Sequence, residues 1–453
     1  MQPKRFAIPG LLLVLAGGAA LAEPSVYPTG TTIYDPSRAY SSYIVFSAPD
    51  HKTHLIDMDG NEVHRWDQPG FPSQLLDPKL TRGKLGHVLV QLSTDDRPGA
   101  GVVPHMPAEM HNRTIGELDW DGNVVWEWGE QAPGGAAKQH HDWRRLPNGN
   151  NLVLVNVLHP VAGFRLPRVL DDVIYEVTPK GDIVWTWTAS EHLNEVGFTP
   201  AELALVRASS SPDYFHINNM TPLGPNRWFD AGDKRFDPEN VLFDSRNANF
   251  IAIIDKNSGR IVWTLGPDFP KAGEPSSAVP RPVDQISGQH DAHLIEPGLP
   301  GAGDLIVFDN EGEGGYPSAT LGVTSGSRVL EIDPVKKEII WQYTGENSGR
   351  PGWTFYSSFI SSARRLPNGN TLIDEGFNGR FFQVTPAGKI VWEYVSPYFG
   401  PSPVGATTSE PVTANWVYRA QPVPYDWAPS GTPHAEHAVT PPDLASFRVP
   451  QAP

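Results

Sequence analysis

Apolar and polar residues alternate along this chain in short bursts, and the bursts recur. Thr53-His-Leu-Ile-Asp-Met-Asp-Gly-Asn-Glu-Val-His-Arg-Trp66 reads as a strand, a turn at Asp59-Gly60 and a returning strand. The plan returns at Ile115–Trp128, Ile174–Trp187, Ile251–Trp263, Val329–Trp341 and Phe381–Trp392. Alternation with period two, carried by β-branched residues and tryptophan, marks half-buried strands. The turns Asp-Gly, Pro-Lys-Gly, Asn-Ser-Gly and Pro-Ala-Gly supply the positive φ that tight hairpins need. Equivalent aromatic positions fall at 64 (a histidine), 126, 185, 263, 341 and 392. Their uneven spacing means that the hairpin is constant and the connections carry the insertions.

A looser repeat lies between the hairpins. His141-Asp-Trp-Arg-Arg-Leu-Pro-Asn-Gly-Asn150 and Ser361-Ser-Ala-Arg-Arg-Leu-Pro-Asn-Gly-Asn370 share an identical turn, and the stretch from His216 to Phe229 fits the same frame. Each unit therefore has four strands, and six such units predict an all-β fold, a six-bladed β-propeller of four-stranded blades. Before Thr53 only Tyr43–Phe46 reads as a good strand, so the first blade lacks its inner strand. The alternating segment Asn415–Ala420 is expected to close the ring by pairing into that blade. The expected organisation is a signal peptide over 1–22, the propeller over 23–420 and a Pro-rich surface tail over 421–453.

Composition narrows the class. With 43 glycines, 46 prolines and 19% charged residues, many short strands joined by turns fit better than helices. The start has a basic Lys4-Arg5, an apolar run and an Ala20-Leu21-Ala22 end, the pattern of a secretory leader, which predicts a periplasmic or secreted protein with no membrane insertion after cleavage. There is no cysteine, so no disulfide is expected. The net charge of −16 argues against nucleic acid or an anionic membrane as partner. An acidic protein that handles an anion must concentrate its positive charge locally.

First strands of propeller blades line the central channel and start at one face, so equivalent residues converge there. His141, His216 and His290 hold that place in blades three, four and five. Blade six offers Tyr356, Ser357 and Ser358, blade one offers Asn415 and Arg419, and blade two only Gln74 and His87. A second set, Arg113, Arg246, Arg328 and Arg380, precedes third strands, and an arginine there can hold a tetrahedral anion through paired N–H donors. His140 and His293 read as neighbours of the working histidines. His54, His64, His159 and His192 read as solvated. Three converging imidazoles suit two chemistries. They can bind zinc with a water, or one can attack an electrophile while cationic groups hold the developing charge. No Gly-rich phosphate loop and no Gly-x-Ser-x-Gly elbow is present, so a nucleotide cofactor is not expected.

At these residues the chain resembles the bacterial arylsulfate sulfotransferases, periplasmic enzymes that need no nucleotide sulfate donor. The specific matches are His-Asp before Leu146-Pro-Asn-Gly-Asn150, Phe215-His-Ile-Asn-Asn219 followed by Ser245-Arg246, and Gln289-His290-Asp291 followed by Asp309-Asn310. The resemblance implies a six-bladed propeller that moves a sulfuryl group from an aryl sulfate to a phenol, ping-pong through a sulfated histidine, with no cofactor and no metal. On that likeness His290 takes the sulfuryl group, while His141, His216 and Arg246 complete the catalytic set. Asn218, Asn310, Tyr356 and Arg419 are the expected substrate-binding residues. Known members carry an N-terminal β domain used in dimer contacts and a disulfide. Here about 20 residues separate the leader from the first strand, so a homodimer is implied only by the likeness. Two other readings use the same channel: a metal-dependent lyase or hydrolase with the three histidines as ligands, and a non-catalytic propeller that binds a periplasmic partner or glycan.

Overall fold

One tryptophan in each outer strand reaches across to the next blade and closes the structure into a ring. The indole N–H of Trp66 donates to Asp119 O at 3.0 Å, Trp128 to Gly181 O at 3.2 Å and Trp187 to Gly259 O at 3.0 Å. Trp263 donates to Pro334 O at 2.9 Å, Trp341 to Pro386 O at 2.8 Å and Trp392 to Met58 O at 2.8 Å. Each acceptor lies in the hairpin turn of the following blade, and the sixth lies in the first. The hairpins are thus fixed twice, by their own turn residues and by a neighbour's indole. His64 does the same work where the repeat lacks a tryptophan, stacking on Trp120 at 3.7 Å and bonding its carbonyl at 2.8 Å.

The computed structural model describes residues 28–95, 111–266, 286–311, 326–401 and 413–441. The leader expected over 1–22 lies outside these. Six antiparallel sheets make a six-bladed β-propeller. From the channel outward, blade two is Gln74–Leu75, Val88–Thr94, Asn112–Leu118 and Val124–Trp128, and blade three is Gln139–Arg145, Asn151–His159, Val169–Val177 and Ile183–Thr188. Blade four is Ile217–Pro222, Val241–Ser245, Phe250–Ile254 and Ile261–Leu265. Blade five is His290–Leu294, Leu305–Asp309, Arg328–Asp333 and Glu338–Tyr343. The second and third strands read as near-continuous buried runs because both faces of a blade are covered by neighbours. Among the described residues six apolar clusters follow, one at each blade–blade interface. Each fully buried Val, Leu or Ile there contributes about 1.5–3 kcal/mol, so this fold needs no disulfide.

Closure differs from expectation in two ways. The strand that pairs with Tyr43–Ala48 of blade one is Ala420–Val423, later than the predicted Asn415–Ala420. Asn415–Tyr418 instead bonds to blade six. Val417 N–H donates to Gly376 O at 2.8 Å, and Tyr418 O accepts from Ser361 N–H at 3.3 Å. With those groups taken, only the next residues can join blade one, whose other strands are Lys52–Ile56 and Glu62–Trp66. Pro422 is tolerated there because the innermost strand is an edge. In addition, Gly30–Tyr34 adds a fifth strand to blade six, outside Ser362–Arg365, Thr371–Glu375, Arg380–Val384 and Ile390–Val395. Both chain ends thus tie blades one and six together. The stretch after 423 also stays on the body: Tyr34 and Val439 exchange backbone hydrogen bonds at 2.8 and 2.9 Å. The boundary expected at 420 falls on the first residue of the closing strand.

The histidines expected to be solvated are not all so: His64 and His192 are half-buried against Trp120 and Trp187, and one more is enclosed. His54 is fully buried, with Nδ1 2.6 Å from Glu62 and Nε2 3.1 Å from Asp50, and its ring stacks on Tyr398 at 3.6 Å.

Candidate active site

The channel histidines are delivered by irregular backbone at the start of inner strands. His141 and His216 have φ of 55° and 51°, in the left-handed region, and each lies beside a register shift in its ladder. In blade five the left-handed residue is Asp291, at φ 58°, one place after His290. Non-glycine residues in that region are uncommon and cost energy, so their recurrence at one mouth of the channel marks a site. His141 and His216 meet with ring centroids 4.5 Å apart. Tyr418, from the closing segment, stands 5.4 Å from His141 and 6.4 Å from His290. The three histidines therefore converge around one tyrosine, as their places on consecutive blades predicted.

The hydrogen bonds of Asn310 decide the protonation of His290. Its Nδ2 donates to Ser357 O and Ile360 O, both at 2.8 Å. Carbonyls only accept, so the amide cannot be turned, and Oδ1 must face His290. That oxygen is 2.7 Å from His290 Nδ1, and Gly288 O is 2.9 Å away. Both partners are acceptors, so Nδ1 carries the proton. Nε2 keeps its lone pair and accepts the Ile360 N–H at 3.1 Å. Ile360 and Ser361 have φ of 57° and 94°, a strained turn that aims this N–H at the imidazole.

The other two imidazoles are backed by carboxylates. His216 Nδ1 lies 2.5 Å from Asp213 Oδ2. His141 Nδ1 lies 2.7 Å from His140 Nδ1, and His140 Nε2 is 3.3 Å from Asp172 Oδ1. Asp172, His140 and His141 thus lie in a buried row, joined by the His140–His141 hydrogen bond and by a 3.3 Å His140–Asp172 contact whose geometry is not that of a hydrogen bond, and His140, read from sequence as a bystander, is its middle member. In both cases Nδ1 is engaged and Nε2 is left for the channel.

Burial and neighbouring positive charge keep His290 and His141 short of protons. Burial, with Arg246 next, holds His290 well below the usual imidazole range, and the hydrogen bonds to Asn310 and Gly288 only partly oppose this. Burial also holds His141 well below it, aided by His216, His140, His290 and Arg246. Asp213 is held below the usual carboxylate range despite its burial, because His216 lies against it. Arg246 is half-buried; its N–H donates to His216 O at 3.1 Å and its Nη1 to Asn247 at 3.0 Å. The other arginines before third strands are spent elsewhere. Arg328 pairs with Asp309 and Glu311, Arg380 with Glu375 and Glu393, and Arg113 with Glu130 at the surface.

The remaining predicted residues separate. Asn218 is fully buried; its Nδ2 donates to Gln289 O at 2.9 Å, which ties the His216 and His290 strands. Its backbone carbonyl accepts Tyr418 Oη–H at 2.5 Å. Tyr356 has its backbone N–H on Glu375 at 2.8 Å, at the entry to blade six. Arg419 lies deeper, buried between Asp142 at 3.1 Å and Asp291 at 3.2 Å, where it plugs the channel below the histidines. Gln74 supports the same plug from blade two, donating to Asp142 at 3.1 Å. His87 is bound to Glu117 at 2.5 Å.

Sequence reasoning missed an aromatic wall above the plug. Phe71 is 5.0 Å from His141 and 4.3 Å from Tyr418, and it joins Trp416, Ile360, Ala414 and Phe359 in one apolar cluster. The only signal was the alternation Asn415-Trp-Val-Tyr-Arg-Ala420. The site therefore combines two neutral-leaning imidazoles, His141 and His290, a third paired with Asp213, one guanidinium and an apolar wall, which suits an aryl group bearing an anion. Among the described residues no cluster of three or more His, Cys, Asp or Glu side chains is arranged to hold a metal ion.

Comparison with known proteins adds one family and a set of distant folds. The family profile described as Arylsulfotransferase (ASST) matches residues 43–396. No curated protein sequence matches the chain. A protein of unknown function from Bacteroides caccae is 12% identical with a TM-score of 0.44, covering 85% of this chain and 99% of that one. A streptogramin B lyase is 14% identical, with a TM-score of 0.34 and 73% of each chain covered. A catalytically inactive virginiamycin B lyase from Staphylococcus aureus, solved with quinupristin, is 12% identical with a TM-score of 0.35, covering 81% of this chain and 87% of that one.

Proposed function

The chain belongs to the arylsulfotransferase family, and from that premise we propose that it moves a sulfuryl group from an aryl sulfate to a phenolic acceptor through a sulfated His290. The observation that carries the reading is the enforced tautomer of His290, with Nδ1 protonated against Asn310 and Gly288 and a lone pair on Nε2.

In the first half-reaction Nε2 attacks sulfur. The N–S bond forms, the S–O bond to the aryl group breaks, and its electron pair leaves on the phenolic oxygen. Positive charge then develops on the ring, and the Nδ1–H bonds to Asn310 and Gly288 strengthen to offset it. Ile360 N–H, displaced from Nε2, is left beside the sulfuryl oxygens as a fixed donor, and Arg246 offsets their charge. The departing phenolate takes the Nε2 proton of His216, which on this reading starts as an imidazolium paired with Asp213, and both imidazoles of the His141–His216 pair are then neutral. In the second half-reaction the same pair removes the proton of the acceptor phenol, whose oxygen attacks sulfur as the N–S pair returns to Nε2. A shared imidazole pair, each member backed by a carboxylate, can serve as acid and then as base. Phe71, Trp416 and Tyr418 would flank the aryl ring.

The expected substrates are small aryl sulfates and phenols, handled in the periplasm or outside the cell. No helix among the described residues is long and apolar enough to cross a membrane. The test is His290→Asn, which keeps a polar group of similar reach but no nucleophile: transfer from a chromogenic aryl sulfate to phenol should vanish. Turnover within a few-fold of the native enzyme would remove His290 from the role.

A further inference from the structure

The plug formed by Arg419, Asp142 and Asp291 divides the channel, and a second cavity of about 200 Å³ lies on the side away from the catalytic histidines. Its polar wall comes from the repeated frame Arg-Arg-Leu-Pro-Asn-Gly-Asn, found at 144–150 and at 364–370. Those copies sit in blades three and six, on opposite sides of a six-bladed ring. In both, the second arginine is structural. Arg145 pairs with Glu117 at 2.5 Å and lies over Trp126; Arg365 pairs with Glu331 at 2.7 Å and lies over Trp341.

The first arginine of each copy turns into the channel instead. Arg144 reaches Asp142 at 3.1 Å and Arg364 reaches Asp291 at 2.5 Å. These carboxylates are the same two that hold Arg419, so three guanidinium groups share two carboxylates. Arg144 Nε is buried with no hydrogen-bond partner. Of the other acids, Glu296 also lines the cavity and offsets the third guanidinium in formal charge, but at the exposed rim solvent screens it. Burial pushes Asp244 and Asp374 well above the usual carboxylate range. Arg364 is pushed down to about 10 by burial, with Asp291 opposing and Arg144 and Arg419 adding to it. The lining also holds His293, with Nδ1 on Asp291 O at 2.7 Å, and the apolar bodies of Leu299, Leu366 and Trp427.

We propose that this cavity is a second, non-catalytic anion site that takes the oxyanion group of a small organic acid between Arg144 and Arg364, with its apolar part against Leu366 and Trp427. Two planar guanidinium groups lining one cavity match a carboxylate or sulfate. The volume lies below the roughly 300–1,000 Å³ of drug-sized sites, which restricts the ligand to a compact one. Because Arg364 and Arg419 both bind Asp291, the residue after His290, occupancy is linked by one side chain to the catalytic strand.

Calorimetry on the whole protein with benzoate tests this. Benzoate should bind, and Arg144→Gln and Arg364→Gln should each weaken it at least tenfold, while Arg246→Gln, at the other mouth, should change it less than twofold. The reverse pattern would assign benzoate to the catalytic mouth and overturn the proposal. Inorganic sulfate should displace benzoate; failure to do so would mean that the apolar wall, not the arginines, holds it. Should the glutamine variants not fold, a native crystal soaked with para-bromobenzoate decides. The proposal requires a bromine anomalous peak beside Arg144 and Arg364, and a peak only beside His141 and His216, or none, defeats it.

Discussion

Asn310→Ala is the most informative substitution short of His290, the proposed nucleophile. The Asn310 side chain makes three buried hydrogen bonds with separable consequences. The one to His290 Nδ1, at 2.7 Å, sets the tautomer, but Gly288 O at 2.9 Å holds the same proton. Losing one of two acceptors should cost about 0.5–1.5 kcal/mol of transition-state stabilisation, which is about a 2- to 13-fold fall in kcat/KM. The two bonds to Ser357 O and Ile360 O act on the fold. Ile360 O, left without its Asn310 donor, should cost about 1–3 kcal/mol, and Ser357 O less, since Ser327 Oγ still donates to it at 3.4 Å; together this is a sizeable share of the roughly 5–15 kcal/mol that holds a domain folded. The variant should therefore lose much stability and modest activity. The assay is steady-state turnover of a chromogenic aryl sulfate well below the melting temperature, beside a denaturant melt. An unchanged kcat/KM in a destabilised protein would refute the tautomer argument. A folded variant as inactive as His290→Asn would show that Asn310 does more than orient the ring.

Further outcomes follow from the same geometry. His140→Phe breaks the row from Asp172 to His141, so transfer to weakly acidic phenols, which must lose a proton, should fall about tenfold or more, while transfer to acidic phenols falls less; an equal loss for all acceptors would indicate damage to packing alone. The pH profile has a definite sign. His290 must be neutral to attack, and burial with Arg246 depresses its pKa, so activity should persist below the ordinary histidine value of about 6.5 and fall only as pH drops through the lower folded value. An acid limb of kcat/KM centred at or above 6.5 would contradict that.

The ring was legible because its signal is local. Period-two hairpins with turn glycines and a repeated Leu-Pro-Asn-Gly-Asn define blades without knowledge of their order. The convergence of His141, His216 and His290 followed from that ring alone. What escaped depends on the irregular backbone at strand starts and on contacts between distant segments. A left-handed His141 turns its Nδ1 toward His140, and nothing in the pattern separates that from an ordinary strand entry. Asp213, three residues before His216, was visible but unremarked. Arg419 was expected at the substrate, and its place between Asp142 and Asp291 follows from Asn415–Tyr418 bonding to blade six before the chain enters blade one. Gly30–Tyr34 is short, and its partner lies at the far end of the chain, so its strand-forming Thr-Thr-Ile-Tyr went unread. His54 sits in a hairpin yet is buried, because Asp50 and Glu62 satisfy both ring nitrogens.

The central claim is a covalent step on one imidazole. Native enzyme mixed with an aryl sulfate, without acceptor, then quenched in alkali and digested, should yield the peptide carrying His290 heavier by one SO3 group. The adduct should disappear on mild acid treatment or on addition of phenol before quenching. Release of a full equivalent of phenol per enzyme with His290 unmodified, or an adduct on His141 or His216 instead, would contradict the account.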